Sequence, residues 1–167
     1  MGPEEAVRSL LLLGQVALNA ADYESAVEAY ASLLKIQPEQ TALCNLASLR
    51  ARGLGCKQDF MEAASLFHQA ELMGNVQAGK LCGKCMYDYV NEALDEKKPA
   101  DVYAEMAVFV SRVYPEAADQ KTETNHGLLA VANTLLSRKE QDKAKKVFQA
   151  AADFGGDEQA RDLLAEL

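Results

Sequence analysis

Residues 53–78, GLGCKQDFMEAASLFHQAELMGNVQA, decide the fold of this chain. Within them, Ala63, Phe67, Ala70 and Gly74 follow one another at intervals of four, three and four residues. The first three positions share one face of a helix, and a glycine at the fourth is typical of a helix end. The stretch therefore predicts a helix that ends near Gly74 and packs through a face made of an aromatic residue between two small ones.

The same ladder recurs along the chain. Its small first positions are Ala26, Ala63, Ala104 and Ala144. They are separated by 37, 41 and 40 residues, and a fixed period of this size indicates stacked supersecondary units. The sequence therefore predicts about four helix pairs.

The composition favours helices that pack through small residues. The chain has 167 residues, of which 49% are hydrophobic, and this is enough for one continuous core. Only 7% are aromatic and Trp is absent, and no turn dipeptide between alternating residues indicates a β-hairpin. We therefore expect an all-α fold and a single repeat domain over residues 1–167.

The charge of the chain restricts its partners and its location. The net charge is -8, so a phosphate backbone would be repelled and we expect no nucleic-acid partner. The longest block of large aliphatic residues, Leu10 to Leu13, is far shorter than a membrane span and has no basic region before it. We therefore expect a cytoplasmic protein with no membrane contact, in which the four cysteines are reduced thiols.

Breaks in the periodic pattern set the boundaries of the predicted units. Residues 1–4 are expected to be a frayed lead-in. The polar connector 116–124 offers Thr122 or Thr124 as the cap of the next helix. A last helix is expected to cover the end of the array, because an uncapped end repeat would leave its inner face in water. The expected repeats are 4–40, 41–75, 76–117 and 122–156, and the expected capping helix is 157–167.

A family resemblance begins in the first unit, which resembles a tetratricopeptide repeat. That repeat is a helix-turn-helix with an L-G pair, a small residue, an aromatic residue and a closing proline. The matching residues here are Leu13-Gly14, Asp22-Tyr23-Glu24, Ala26, Tyr30 and Pro38.

The second unit resembles a Sel-one-like repeat, a longer relative with a G-x-G turn between its helices. The match covers residues 42–78 and includes Gly53-Leu54-Gly55, Ala63, Phe67 and Gly74. The third unit matches only loosely, since it has no G-x-G. The resemblance implies a right-handed superhelical α-solenoid of about four helix-turn-helix repeats plus a C-terminal capping helix.

The resemblance also implies which side chains face a concave binding groove. In such domains the first helix of each pair lines the concave surface. Lys80 and Lys84 lie one helical turn apart, so both could reach one acidic segment of a partner. The carboxylate clamp of some tetratricopeptide domains is only partly present, since Leu11 and Gln15 replace its first Lys and its Asn. The expected groove residues are Arg8, Gln15, Asn19, Ser48, Arg52, Gln77, Lys80, Lys84, Tyr87, His126 and Asn133.

The cysteines offer a chemical alternative. Cys82-Gly83-Lys84-Cys85 has the two-residue gap of zinc and redox pairs. A structural zinc needs four ligands, and Cys44 and Cys56 are unsuitably spaced. Cys56, Cys82 and Cys85 stand where the related repeats carry apolar residues, so small buried thiols explain them. We therefore predict no metal and no cofactor.

Other catalytic signals are weak. His68 and His126 are far apart, and neither is near a nucleophile with a helper acid. Gly53-Leu54-Gly55 lacks the third glycine and the preceding strand of a nucleotide fingerprint, which favours a turn between helices. We therefore predict no catalytic residue and no enzyme activity.

These observations predict a non-catalytic protein-interaction module, an adaptor, scaffold or co-chaperone-like protein that holds a peptide or helix of a partner. One alternative is a self-assembling structural module, in which the apolar stretch from Tyr103 to Tyr114 is an interface. The other is a cysteine-based redox or metal-binding protein. The size of the protein in solution tests the first alternative, and metal analysis with thiol titration tests the second.

Overall fold

A computed structural model describes residues 2–167, and this part of the chain is all-helical, with nine helices and no strand. This confirms the predicted all-α class. The helices are α1 Pro3–Asn19, α2 Tyr23–Ile36, α3 Gln40–Arg52, α4 Phe60–Leu72, α5 Val76–Glu96, α6 Pro99–Val113, α7 Gln120–Ser137, α8 Gln141–Asp153 and α9 Glu158–Glu166.

Aspartate side chains begin several of these helices. The Asp22 carboxylate accepts a hydrogen bond from the Ser25 backbone N–H at 3.3 Å, and Asp59 accepts one in the same way at 3.0 Å. Asp157 caps α9 by accepting from the Ala160 N–H at 2.8 Å. Each bond satisfies a donor that the first helical turn leaves without a partner, so these residues fix where α2, α4 and α9 start.

The G-x-G segment forms the turn between α3 and α4, as predicted. Gly53 is the C-cap of α3 with φ +64°, and Gly55 has φ +71°. Both angles lie in the left-handed region, where a side chain is strained. A Cβ at Gly55 would also collide with the backbone of Tyr23. The turn therefore needs glycine for its backbone angles and for its approach to α2.

The chain divides into two compact units, one up to Cys85 and one from Met86 to Leu167. In the first unit, α1 packs on α2, α2 on α3 and α3 on α4. Tyr30 is fully buried at the centre, with its ring against Gly14 and its hydroxyl accepting a hydrogen bond from Asn45 Nδ2 at 3.0 Å. The core of this unit therefore forms between helices that follow one another in the chain, and the Tyr30 ring fits into it because Gly14 has no side chain.

In the second unit, α6 packs on α7 and α8, α7 packs on α8, and α9 packs on α8. Ala144, Phe148 and Ala151 of the repeated ladder are fully buried there. In the first unit Ala63 and Phe67 are buried in the same way. The prediction that this ladder forms the packed face of its helices is therefore confirmed at Ala26, Ala63 and Ala144. It is wrong at Ala104, which is exposed because α6 turns a different set of side chains into the core.

Two local predictions need correction. The cap of α7 is Asp119 and not Thr122 or Thr124, because the Asp119 carboxylate accepts from the Lys121 and Thr122 backbone N–H groups. Thr124 is buried inside α7, where its hydroxyl donates to the Gln120 carbonyl at 2.8 Å. The expected lead-in 1–4 is also too long, since α1 begins at Pro3. Its first residue, Met1, lies outside the described residues.

The apolar helix α6 contributes to the core of the second unit. Its buried side chains are Val102, Met106, Phe109 and Val110. Tyr103 is half-buried, and its ring packs on that of Phe154 with centroids 6.1 Å apart. Much of the apolar face of α6 is therefore occupied by the unit itself.

Candidate interaction surfaces

The first unit carries eight of the eleven expected groove residues, on α1, α3 and α5, and we call them the polar row. Seven of them are exposed, while Ser48 is half-buried. The four that carry a charge are all basic. The row consists of Arg8, Gln15 and Asn19 on α1, Ser48 and Arg52 on α3, and Gln77, Lys80 and Lys84 on α5.

Helical geometry aligns the members of the row on each helix. Arg8, Gln15 and Asn19 are seven and then four residues apart, so they share one face of α1. Spacings of three and four do the same for the residues of α5.

Contacts within the first unit connect its first helices. Helix α1 contacts α3. Asn75, just before α5, donates to the Cys44 sulfur on α3 at 3.6 Å and caps α5 by accepting from Ala78 N–H. The polar row therefore lies on three connected helices.

The two lysines of α5 differ in their surroundings. Both are exposed, but Lys84 also takes part in an interaction within the protein. A ligand that uses both ammonium groups would have to share Lys84 with that interaction. A double substitution of Lys80 and Lys84 should therefore be compared with Lys80→Glu alone, which leaves the Lys84 interaction intact.

Three of the expected groove residues, Tyr87, His126 and Asn133, lie in the second unit. His126 and Asn133 are exposed on α7. Tyr87 is only 5% exposed, and the Arg138 guanidinium lies over its ring at 4.5 Å from the centroid. The expectation that Tyr87 lies exposed in the groove therefore needs correction, because a cation–π contact inside the unit covers its ring.

The cysteines behave as small packing residues. Cys82 and Cys85 are buried on α5, as predicted for these positions. Cys44 and Cys56 are half-buried, so the prediction of a buried thiol is wrong at Cys56, which lies in the turn between α3 and α4. Burial, with a contribution from the Glu39 carboxylate, raises the pKa of the Cys44 thiol, which lowers the fraction of reactive thiolate. Within residues 2–167, no group of three or more His, Cys, Asp or Glu side chains is placed to hold a metal ion.

A second surface lies between α1 and α2, and sequence reasoning missed it. We call it the apolar groove. It encloses about 480 Å³ and is partly open to solvent, a volume within the roughly 300–1,000 Å³ of ligand pockets. Its lining residues are Leu10, Leu13, Val16, Ala17 and Ala20 of α1 and its turn, Asp22 at the start of α2, and Ser25, Glu28, Ala29 and Ser32 of α2.

Two faces of α1 therefore carry two different surfaces. Leu13, Val16 and Ala20 are three and four residues apart and share the groove face, whereas Arg8 and Gln15 lie on the face of the polar row. Leu13 is 58% exposed and Val16 is 56% exposed. The signal in the sequence was the run from Leu10 to Leu13, because four consecutive residues span the circumference of a helix and cannot all be buried on one side.

Comparisons with known proteins identify no relative of this chain. No family model matches it, and neither the curated proteins nor the solved structures give a match. Among the described residues, no helix combines the length and the apolar character needed to cross a membrane.

Proposed function

We propose that the chain is a right-handed superhelical α-solenoid of tetratricopeptide-like and Sel-one-like repeats, capped by its last helix. In this proposal it acts without catalysis as a protein-interaction module, an adaptor, scaffold or co-chaperone-like protein of the cytoplasm. Its ligand is an acidic peptide segment of a partner, held along the polar row. The all-helical fold with sequential helix packing supports this architecture.

One observation carries the proposal: every charged residue of the polar row is basic, although the chain has a net charge of -8. Arg8, Arg52, Lys80 and Lys84 are all exposed. An acidic segment is repelled by the protein as a whole and attracted by this row, so the charge pattern favours one binding position. Complementary charge mainly raises the association rate and excludes wrong partners.

The uncharged members of the row supply a different kind of contact. Gln15, Asn19 and Gln77 are exposed amides, and each offers both hydrogen-bond donors and an acceptor. An extended peptide presents N–H and C=O groups that such amides can bind. The row therefore combines groups for the backbone of a peptide with groups for its acidic side chains.

Individual exposed ion pairs contribute little, on the order of 0.2–1 kcal/mol each. Binding by the row would therefore depend on several simultaneous contacts and would weaken as salt is added. This salt dependence separates the proposed mode from burial of an apolar ligand, which salt screens much less.

The test uses the double variant Lys80→Glu and Lys84→Glu, with a fluorescent Glu-rich peptide as the probe. We expect anisotropy to show binding by the native protein that weakens at least tenfold in this variant. Lys35→Glu with Lys57→Glu is the matched control, because it changes the net charge equally at exposed lysines outside the row. Circular dichroism should show the same helix content in all three proteins. Equal weakening by the control would contradict the proposal, and so would binding that survives the row variant.

A further inference from the structure

The apolar groove differs from the polar row in chemistry and in position. Its α1 side consists only of apolar side chains, among them Leu10, Leu13 and Val16. More than half of Leu13 and of Val16 is exposed. Exposed apolar residues gathered beside a concave surface are typical of an interaction site, whereas single ones need no explanation.

The charged groups of the groove all have one sign. Asp22 and Glu28 are exposed on the α2 side, and no Lys or Arg is among the lining residues. Ser25 and Ser32 add hydroxyl groups on the same side. A complementary occupant therefore has an apolar stripe and basic residues next to it.

The length of the groove indicates the form of the occupant. Leu10 and Ala20 are ten residues apart on α1 and its turn, which corresponds to about 15 Å along a helix. About three turns of a helix have this length, and they place residues i, i+3 or i+4, and i+7 on one face. A helix laid in the groove could thus cover Leu13 and Val16 with its apolar stripe.

We propose that the apolar groove binds an amphipathic helix of a partner protein, with Leu, Ile or Phe along its apolar stripe and Lys or Arg at the flanks. This goes beyond the proposed function, because the ligand is helical and basic and binds to another face of α1. The two surfaces share no residue and have opposite charge preferences, so substitutions in one should leave binding at the other intact.

Charge disfavours a second copy of this chain as the occupant. Two grooves face to face would bring Asp22 and Glu28 of one copy near the same residues of the other. The last helix, α9, is amphipathic but carries three acidic residues, Glu158, Asp162 and Glu166, against one basic residue, Arg161. Either arrangement places like charges together, which opposes association.

The experiment uses the full chain and three synthetic peptides. The first is an amphipathic helix with a Leu stripe flanked by Lys, the second has Glu in place of each Lys, and the third has the residues of the first in scrambled order. We expect anisotropy or calorimetry to show binding of the Lys peptide, with at least tenfold weaker binding of both others. Equal binding of the Lys and Glu peptides, or no binding of the Lys peptide, would overturn the proposal.

Variants then place the site. Leu13→Gln with Val16→Gln should weaken binding of the Lys peptide at least tenfold. Leu72→Gln, at another exposed apolar residue of the first unit, should leave it unchanged and serves as the matched control. Asp22→Asn with Glu28→Gln removes both charges and keeps a residue type that can cap α2, so it should weaken binding several-fold and reduce its salt dependence.

Sedimentation of the protein alone tests whether a second copy of the chain fills the groove. We expect a mass that does not depend on concentration. A dimer that dissociates in the Leu13→Gln and Val16→Gln variant would overturn the proposal, because a second copy would then fill the groove.

Discussion

The first and last helix pairs of the chain have the same kind of buried contact between their two helices, which we call the seam, but their other faces differ. Tyr30 and Phe148 are both fully buried between paired helices. Beside the first pair, α1 and α2 leave an apolar groove of about 480 Å³. At the last pair, α7 and α8, the chain continues into α9, which packs on α8 and fully buries Ala160. The comparison indicates that the seam provides stability, and that an additional helix determines whether an apolar face stays open.

The largest effect on stability is expected at Gly14, where the seam of the first pair has no space for a side chain. A Cβ at Gly14 would lie 2.5 Å from Cε1 and Cζ of the Tyr30 ring. Because that ring is fully buried, Gly14→Val should lower the free energy of unfolding by about 3 kcal/mol. Urea denaturation followed by circular dichroism measures it.

Gly83→Ala is the control for this substitution. Gly83 lies within α5, and apart from its chain neighbours and the adjacent turns of α5, no described atom lies within 4 Å of the position of its Cβ. Alanine there should raise stability by about 0.5–1 kcal/mol through its helix propensity. A similar loss of stability in both variants would show that the Tyr30 contact is not the cause.

A polar substitution in each of the two regions tests whether the groove is open and the α8–α9 contact is closed. Ala160→Glu should lower the free energy of unfolding by about 2–3 kcal/mol, because a fully buried site must take a charge or release α9. Leu13→Gln in the open groove should change it by no more than about 0.5 kcal/mol. Hydrogen exchange should show faster opening of α9 only in Ala160→Glu. Destabilisation by Leu13→Gln would contradict the open state of the groove.

Each unit also has an asparagine that bonds a tyrosine, and the two differ in burial. Asn125 is buried, donates to the Gly155 carbonyl at 3.1 Å and accepts from the Tyr103 hydroxyl at 3.4 Å. Asn125→Ala should cost about 2 kcal/mol, because the Gly155 carbonyl loses its partner in a buried place. Asn45→Ala should cost about 1 kcal/mol, since Asn45 is half-buried and water can enter. Thermal unfolding of both variants measures the difference, and equal shifts would count against burial as its cause.

The all-α fold could be predicted from the sequence because the helical spacing and the turn residues indicated the same elements. The ladder around Ala63 and Phe67 specified a buried helical face, and Gly53 with Gly55 specified the turn before it. The cap of α7 was misplaced because Asp119, Thr122 and Thr124 are all good cap residues within six positions. Only the backbone positions decide which one reaches the free N–H groups.

The surfaces were harder to predict, because exposure depends on residues far away in sequence. Tyr87 is covered by Arg138, which lies 51 positions later. The leucines from Leu10 to Leu13 indicated exposed apolar area, but the groove exists only where α2 stands beside α1. The spacing of residues along each helix therefore predicted the polar row, whereas tertiary packing determined which of the eleven expected groove residues are accessible.

The smallest expected effect concerns the phenol of Tyr103 in the second unit. Burial, together with the charge of Asp119, raises the pKa of Tyr103 above its ordinary value of 10.0. A raised folded-state pKa means that the folded protein favours the neutral phenol. This contribution to stability is complete below about pH 10 and is lost as pH rises through the raised pKa.

Absorbance of phenolate measures this titration directly. The difference between the native protein and Tyr103→Phe should give one phenol with a midpoint above 10. Asp119→Asn keeps a capping side chain but removes the charge, so it should move the midpoint down without reaching the ordinary value, because burial is the larger cause. A midpoint at or below 10 in the native protein would mean that the contacts of Tyr103 with Phe154 and Asn125 do not shield its phenol from water.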